Sequence, residues 1–193
     1  MNDLFFKIPC LKGERVTLRR LTACDADALR ELTEDADVYR YLPTFLYEKQ
    51  YEDPSYVIDR LYDECINESL ILGVFLDDAF CGLAEVYGYR APLLKVSVGY
   101  RLLKKVWGKG IATETLGVLV KFLLEETPVR IITASTMVEN QASANVLRKN
   151  GFKRVMHGVW ENWGYSKPTV ADKWLLTDGN YRLQYRFHND SFA

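Results

Sequence analysis

The amino-acid sequence predicts an α+β fold in which a group of antiparallel strands precedes a strand–helix–strand–helix block. Apolar and polar residues alternate over Glu14–Leu21, which is typical of a half-buried strand. Three further strand-like segments follow one another closely between residues 70 and 103, which favours an antiparallel meander. A glycine turn at Gly108–Gly110 then precedes a long segment with helical apolar spacing.

In the first third of the chain, three helices are predicted after the opening strand. They are Thr22–Leu32 with Thr22 or Asp25 as its N-cap, Asp37–Leu42 stopped by Pro43, and Pro54–Asn67. The meander that follows consists of Leu70–Leu76, Phe80–Tyr89 and Lys95–Leu103.

The second half of the chain alternates helices and strands. In order, we expect a helix over Ile111–Glu125, a buried strand over Val129–Ser135, a helix over Asn140–Asn150 ended by Gly151, and strands over Phe152–Val159 and Thr169–Leu176. The tail at Tyr181–Phe187 again alternates aromatic or apolar residues with polar ones, and this pattern predicts an additional strand.

Length and charge narrow the class of protein. The 193 residues favour one domain over 1–193, with 177–193 as a C-terminal tail. A hydrophobic fraction of 48% supports a real core, and a net charge of −1 gives no basic field for nucleic acid or anionic lipid. The apolar run Leu4–Ile8 is too short for a signal peptide, and no stretch reaches membrane length, so we expect a cytoplasmic protein.

The four cysteines do not indicate a metal site. Cys10, Cys24, Cys65 and Cys81 contain no CxxC pair, and only two histidines accompany them. We therefore expect no metal, and reduced thiols that are mostly buried.

The glycine turn invites three interpretations as a phosphate-binding loop. A Walker A loop fails because Gly110 follows Lys109, where that motif needs Ser or Thr. A dinucleotide fingerprint fails because Thr113 stands where its last glycine belongs. Lys105–Gly110 does match the acetyl-CoA diphosphate loop, (Q/R)xxGx(G/A), with lysine in the first position. Glycines there would let backbone N–H groups and the helix dipole approach the diphosphate.

A second motif lies one strand later, and the two motifs together resemble the GNAT acetyltransferase superfamily. Val98–Leu116 (VGYRLLKKVWGKGIATETL) is similar to the GYxL…WGKGxATE core, and Met137–Phe152 to the N-xx-S…L-xK-xGF helix. Leu11–Leu32 looks like the opening strand and helix of the branch that includes the ribosomal-protein N-terminal (alanine/serine) acetyltransferases. The resemblance implies a mixed, mostly antiparallel sheet of about seven strands, helices on both faces, and a bulged fourth strand, Val96–Leu102, splayed from the fifth.

The resemblance also implies an acetyl-CoA site built mainly from backbone. Backbone of the fourth strand would line the pantetheine arm and the acetyl carbonyl, the loop and helix start would hold the diphosphate, and the two loop lysines would add charge or remain solvated. The residues concerned are Val98, Tyr100, Arg101 and Leu102, then Lys105, Trp107, Gly108, Lys109, Gly110, Ile111, Ala112 and Thr113, and finally Asn140, Ser143 and Lys149. Asn140 either holds the pantetheine or only caps its helix.

Catalytic residues are less well defined by the sequence. Many family members have a tyrosine as general acid at the position of Leu147, which Val146 precedes here. Ser143 is then the remaining donor for the CoA thiolate, directly or through water. Alternatively, Ser143 only bonds to backbone in the first turn of its helix. Ser97 stands where a glutamate is common in the branch. Glu85, Glu161 or a water relay therefore remain as the general base that deprotonates the amine. Asp172 is also a candidate, but a structural ion pair suits it better.

The expected reaction is transfer of the acetyl group of acetyl-CoA to a primary amine of a protein N-terminus or a small molecule. Two aromatic-rich segments could wall the acceptor slot or serve ordinary packing; they contain Tyr39, Tyr41, Phe45, Tyr47, Tyr51, Trp160, Trp163 and Tyr165. A non-catalytic acetyl-CoA-binding or regulatory domain is the alternative function, and assembly through the tail is a third. Monomer and homodimer both remain open.

Overall fold

A computed structural model describes residues 7–64 and 69–189 and contains one mixed sheet. Its eight strands lie in the order β1-β2-β3-β4-β5-β6-β8-β7, and all neighbours are antiparallel except the β5–β6 pair. The strands are β1 Leu11–Lys12, β2 Val16–Arg19, β3 Ser69–Leu76, β4 Ala79–Arg90, β5 Lys95–Leu102, β6 Ile131–Met137, β7 Lys153–Glu161 and β8 Thr169–Thr177. The predicted α+β class and the antiparallel meander are confirmed; the predicted fourth strand is β5, because β1 is an additional short strand.

Helices cover both faces of this sheet, as expected. They are α1 Ala26–Glu34, α2 Ala36–Tyr39, α3 Pro54–Glu64, α4 Ile111–Glu126, α5 Gln141–Lys149 and α6 Asp178–Asn189. One core lies between the sheet and α4, α5 and α6; we call this the α4–α5 face. A second core, on the α1–α3 face, contains buried residues of α1 and α3 and of strands β3 and β4. Each helix therefore buries its apolar stripe against the sheet.

The predicted strand in the tail is wrong. Tyr181–Phe187 lies within helix α6, where Tyr181 is buried and its hydroxyl donates to Glu125 at 2.8 Å. Asp178 and Arg182, one helical turn apart, form an ion pair at 2.8 Å. Because this segment is helical, it offers no strand to the sheet of a partner, and assembly through the tail stays a prediction.

Two smaller expectations also need correction. Cys10 and Cys24 are exposed and only Cys81 is buried among the described cysteines, because the first two lie on connecting segments outside the sheet; Cys65 lies outside the described residues. The predicted end of the third helix, 65–67, lies outside them too. None of the described helices is both long and apolar enough to cross a membrane.

Strands β5 and β6 separate after a short contact, which confirms the expected splay. Their pairing comprises only Lys95, Val96 and Ser97 against Ile131, Ile132 and Thr133, although β5 continues to Leu102. The expected bulge within β5 is wrong, since the register shift falls between Tyr87 and Arg90 on the neighbouring strand β4, which carries the extra residue. The gap therefore results from the divergence of two strands.

Backbone groups of β5 face this gap. The carbonyl of Val96 accepts a hydrogen bond from Thr133 of β6, whereas the N–H of Leu103 donates to Cys81 of β4. Because backbone direction alternates along a strand, the N–H groups of Val98, Tyr100 and Leu102 point towards the β6 side. Beyond Ser97, none of the described strands pairs with that edge. The N–H of Val98 closes the Ser97–Thr133 bridge, so the N–H groups of Tyr100 and Leu102 are the ones available to a ligand.

Candidate active site

The glycine loop and the start of α4 present a group of unpaired N–H donors. Gly108 and Gly110 have φ angles of +72° and +80°, in the left-handed region that glycine tolerates best. Gly110 is the N-cap, and Glu114 makes the first helical bond, to its carbonyl, at 3.1 Å. The N–H groups of residues 111–113 therefore have no partner within the helix, and no side chain of the described residues caps it. This geometry suits an anion such as a diphosphate.

The space beside Gly108 indicates where such an anion fits. A Cβ atom added to Gly108 would have no heavy atom within 4 Å, so the turn borders open space and not packed protein. Both Gly108 and Gly110 line the main cleft of the molecule, which has a volume of about 1620 Å³. The backbone conformation of the loop, the free N–H groups at the start of α4 and the open space beside Gly108 thus suit a group such as the diphosphate of coenzyme A.

An internal carboxylate holds this loop against strand β2. Glu114 accepts hydrogen bonds from the N–H groups of Arg15 and Val16, at 2.6 and 3.0 Å, and pairs with the Arg15 guanidinium at 2.8 Å. Burial raises the pKa of Glu114, but these hydrogen bonds and the arginine charge outweigh burial and lower the pKa overall. Arg15 also donates to the carbonyl of Lys109 at 3.1 Å. The loop is consequently fixed before any ligand binds.

The residues predicted to bind the cofactor separate into two groups. Those that line the cleft are Val98, Tyr100, Arg101, Leu102, Trp107, Gly108, Gly110, Ile111, Ala112, Thr113, Asn140, Ser143 and Lys149. Lys105 and Lys109 do not line it, and Lys105 instead lies 3.3 Å from Glu31 in an exposed ion pair. The structure therefore gives these two loop lysines no contact with the cleft.

Asn140 and Ser143 begin helix α5 at the edge of the gap. The Asn140 side chain accepts from the N–H of Ser143 at 3.1 Å, so it is the N-cap of α5. The hydroxyl of Ser143 lies 3.0 Å from the hydroxyl of Tyr100 on β5. Leu147, at the position of the absent tyrosine, is buried in the core and carries no polar group.

The phenol of Tyr100 is a functional group that the sequence reasoning missed. Only its backbone had been assigned a role, and the 43 positions between it and Ser143 give no sequence signal that their hydroxyls meet. Burial raises the pKa of Tyr100 to about 12, more than the hydrogen bond to Ser143 lowers it. Two neutral hydroxyls share one hydrogen bond, which leaves one O–H hydrogen to donate into the cleft.

Two of the three candidate carboxylates line the cleft. Glu85 accepts from Arg101 Nη1 at 2.8 Å, and Glu161 pairs with Lys173 and accepts from Trp163 Nε1 at 3.1 Å. Asp172 does not line the cleft; it is buried and bonds to Arg154 at 3.0 Å and His157 at 2.6 Å. The ion-pair role expected for Asp172 is thus confirmed. Ser97, at the position of the glutamate common in the branch, shares a hydrogen bond of 2.9 Å with the Thr133 hydroxyl.

The two aromatic-rich segments meet at the mouth of the cleft. The N–H of Thr44 donates to the carbonyl of Trp163 at 2.9 Å, and the Tyr165 hydroxyl donates to the carbonyl of Leu42 at 2.6 Å. From these segments, Tyr41, Phe45, Tyr47 and Trp163 line the cleft. They form one wall on the α1–α3 side of the gap.

Similar proteins agree with this architecture. The protein named "Probable N-acetyltransferase YjcK" of Bacillus subtilis (strain 168) is 28% identical over 170 residues, which are 79% of this chain and 92% of the relative. The structure of RimL, a ribosomal L7/L12 alpha-N-protein acetyltransferase, in complex with coenzyme A has a TM-score of 0.73 at 16% identity, covering 88% of this chain and 97% of that one. Spermidine N-acetyltransferase from Vibrio cholerae in complex with CoA and spermine has a TM-score of 0.73 at 18% identity, covering 88% and 99%.

The family comparison decides the class of enzyme. The family model described as "Acetyltransferase (GNAT) domain" matches residues 15–153, which include the glycine loop, the splayed strands and the Asn140–Lys149 helix. The resemblance inferred from the two motifs is therefore confirmed. The chain belongs to the GNAT acetyltransferase family and is a GNAT N-acetyltransferase.

Proposed function

We propose that this protein transfers the acetyl group of acetyl-CoA to a primary amine by direct attack. The observation that carries the proposal is the gap between β5 and β6, which opens through the sheet. The glycine loop, Ser143 and Tyr100 lie on its α4–α5 side, whereas Glu85, Arg101 and the aromatic wall lie on its α1–α3 side. The two substrates can thus approach one point from opposite faces.

On the α4–α5 side, the donor groups match the requirements of the cosubstrate. The N–H groups of residues 111–113 and the backbone of the glycine loop would hold the diphosphate. The free N–H groups of Tyr100 and Leu102 would bond to the pantetheine arm and stabilise negative charge on the acetyl oxygen. Acetyl-CoA supplies an activated acyl group whose leaving group is a thiolate. The hydroxyl pair of Ser143 and Tyr100 would donate a hydrogen bond to that leaving group.

On the α1–α3 side, Glu85 is the base that the geometry favours. An amine with a pKa of about 8 to 10 must lose a proton before it attacks. Glu161 shares its carboxylate with Lys173, whereas Glu85 accepts one hydrogen bond from the described side chains, that of Arg101, and keeps its other oxygen available towards the cleft. The aromatic wall would receive the remainder of the acceptor, and protein N-termini and small amines both fit a slot that is open to solvent.

The decisive experiment combines binding with turnover. Titration calorimetry with CoA and acetyl-CoA tests the cosubstrate site, and release of free CoA, measured with a thiol reagent, tests transfer to peptides, polyamines and aminoglycosides. We expect heat on binding and release of CoA with at least one acceptor. No heat with either ligand would overturn the enzyme assignment, and binding without turnover across the panel would favour the non-catalytic alternative.

A further inference from the structure

A buried cluster of charges lies behind Glu85 on the α1–α3 face. The Arg101 side chain is 2% exposed and the Glu48 side chain 0%, whereas Glu85 is 15% exposed and lines the cleft. Glu48 belongs to a one-turn helix, Tyr47–Lys49, in the segment that carries the aromatic wall. Three separate parts of the chain therefore bring two carboxylates to one guanidinium.

The contacts divide the arginine unequally between the carboxylates. Nη2 donates to Glu48 at 2.7 Å, and Nε lies 2.6 Å from the other Glu48 oxygen, without the alignment of a hydrogen bond. Glu85 receives only Nη1, at 2.8 Å. Tyr39 donates its hydroxyl to Glu48 at 2.9 Å. Glu48 is thus the principal partner of the arginine, and Glu85 is held through a single donor.

The charge count of the cluster shows what this arrangement does. Burial opposes the charge of Arg101, but Glu48 and Glu85 outweigh it and raise the pKa of the guanidinium, so the arginine stays charged. Burial, with the nearby Glu48 charge, raises the pKa of Tyr39, so its phenol stays neutral. One positive charge then faces two negative ones. The excess negative charge is at the cleft, where an acceptor arrives as an ammonium.

We propose that Arg101 and Glu48 are positioning residues: Arg101 aims Glu85 into the gap, and Glu48 takes up most of the arginine charge so that Glu85 can still accept a proton. This inference rests on the proposed function and extends it to two side chains that act through Glu85. An arginine paired with Glu85 alone would favour the ionised carboxylate too strongly for efficient proton transfer. The segment that walls the acceptor slot is thereby linked to the base through Glu48.

Other charged and titratable groups near Glu85 do not remove the effect. Tyr87, on the same strand, interacts electrostatically with Glu85 and with Glu161 of β7. Glu161 is already compensated by Lys173. On β3, the residue opposite Glu85 is the apolar Ile71. Arg101 is therefore the positive charge in direct contact with Glu85.

The test uses two variants. Glu48→Gln keeps the shape of the side chain and leaves Arg101 and Glu85 as a pair with no net charge. Glu48→Gln/Arg101→Met removes the cation as well. The titration of the Glu85 carboxyl is followed by 13C NMR of labelled glutamate, with Glu85→Gln to identify the signal. Loss of the Glu48 charge leaves the arginine charge to Glu85 alone, so we expect the midpoint to move down in Glu48→Gln. In the double variant it should move up past the wild-type value.

Kinetics supply the second readout. The acid limb of the pH profile of kcat/KM should move in the same two directions. Asp25→Asn is the matched control, because Asp25 is a buried carboxylate that contacts Arg19 at 3.2 Å but lies away from the cleft. It should lower thermal stability without moving either profile.

Two results separate the possibilities. Midpoints that do not move in opposite directions, in variants that melt cooperatively, would overturn the positioning role. Because the NMR titration needs no turnover, it decides this inference even if the wild type acetylates nothing. Absence of turnover together with the expected NMR shifts would leave the charge arrangement standing and remove the proposed function.

Discussion

Replacement of Gly108 by alanine tests the glycine loop most directly, because the chain contains a matched control. Gly108 and Gly158 have φ angles of +72° and +70°. A Cβ at Gly108 would meet nothing within 4 Å, and at Gly158 only Val170 Cγ1, at an ordinary 3.9 Å. Gly108 lines the cleft and Gly158 does not. The two substitutions therefore impose the same backbone strain and differ only in their relation to the ligand site.

The expected magnitudes separate strain from binding. A left-handed conformation costs an L-residue about 1–2 kcal/mol, so each variant should lose that amount of folding free energy. For a chain of this size, each kcal/mol lowers Tm by roughly 2–4 °C. At Gly108 the methyl group also enters the space for the diphosphate. Loss of one hydrogen bond to a charged group costs about 1.5–3 kcal/mol, which corresponds to roughly a 10- to 150-fold weaker Kd for acetyl-CoA.

Differential scanning calorimetry and titration calorimetry measure the two effects on the same samples. We expect similar drops in Tm for Gly108→Ala and Gly158→Ala, with weakened acetyl-CoA binding only in the first. Equal affinities in both variants would refute the assignment of the loop to the diphosphate. A much larger drop in Tm for Gly108→Ala would show instead that the loop supports the fold.

Three further predictions follow from the site and its surroundings. Ser143→Ala and Tyr100→Phe should each lower kcat about 5- to 10-fold, because each variant loses a hydrogen bond worth about 1–1.4 kcal/mol. The double variant should lose little more, because the two hydroxyls are linked by one hydrogen bond and act together. Steady-state kinetics measure both effects. Glu114→Gln should weaken acetyl-CoA binding and lower Tm, because it loosens Arg15 from the loop. Burial raises the pKa of Asp172, but its hydrogen bonds outweigh burial and lower the pKa overall. Asp172 therefore stabilises the fold above about pH 4, and this contribution is lost on further acidification. Denaturant unfolding at pH 7 and pH 3 should show that the free energy of unfolding falls less in Asp172→Asn than in the wild type.

The sequence alone predicts those features that depend on neighbouring residues. Gly108 and Gly110 adopt left-handed conformations that few other residues accept, and Asn140 caps α5 within its own first turn. Gly151, with φ at +81°, ends the same helix. Because each of these interactions spans a few residues, spacing and residue type are sufficient to predict them.

The tail shows where pattern alone was insufficient. A pattern of only seven residues fits both the two-residue period of a strand and the 3.6-residue period of a helix. Which of the two forms depends on the contacts that Tyr181 makes. That partner, Glu125, lies at the end of α4, 56 positions earlier in the chain. Burial of Tyr181 against the core then determines the conformation of the segment.

The chemical groups of the site, in contrast, were decided by the tertiary structure. Tyr100 and Ser143 are 43 positions apart, and Arg101 is 53 positions from Glu48 and 16 from Glu85. The local sequence shows which residues are present, but it does not show which side chains contact each other in the folded sheet. Strand register and the divergence of β5 from β6 bring them together, since the energy that aligns the strands is distributed over the whole core and not encoded at the site.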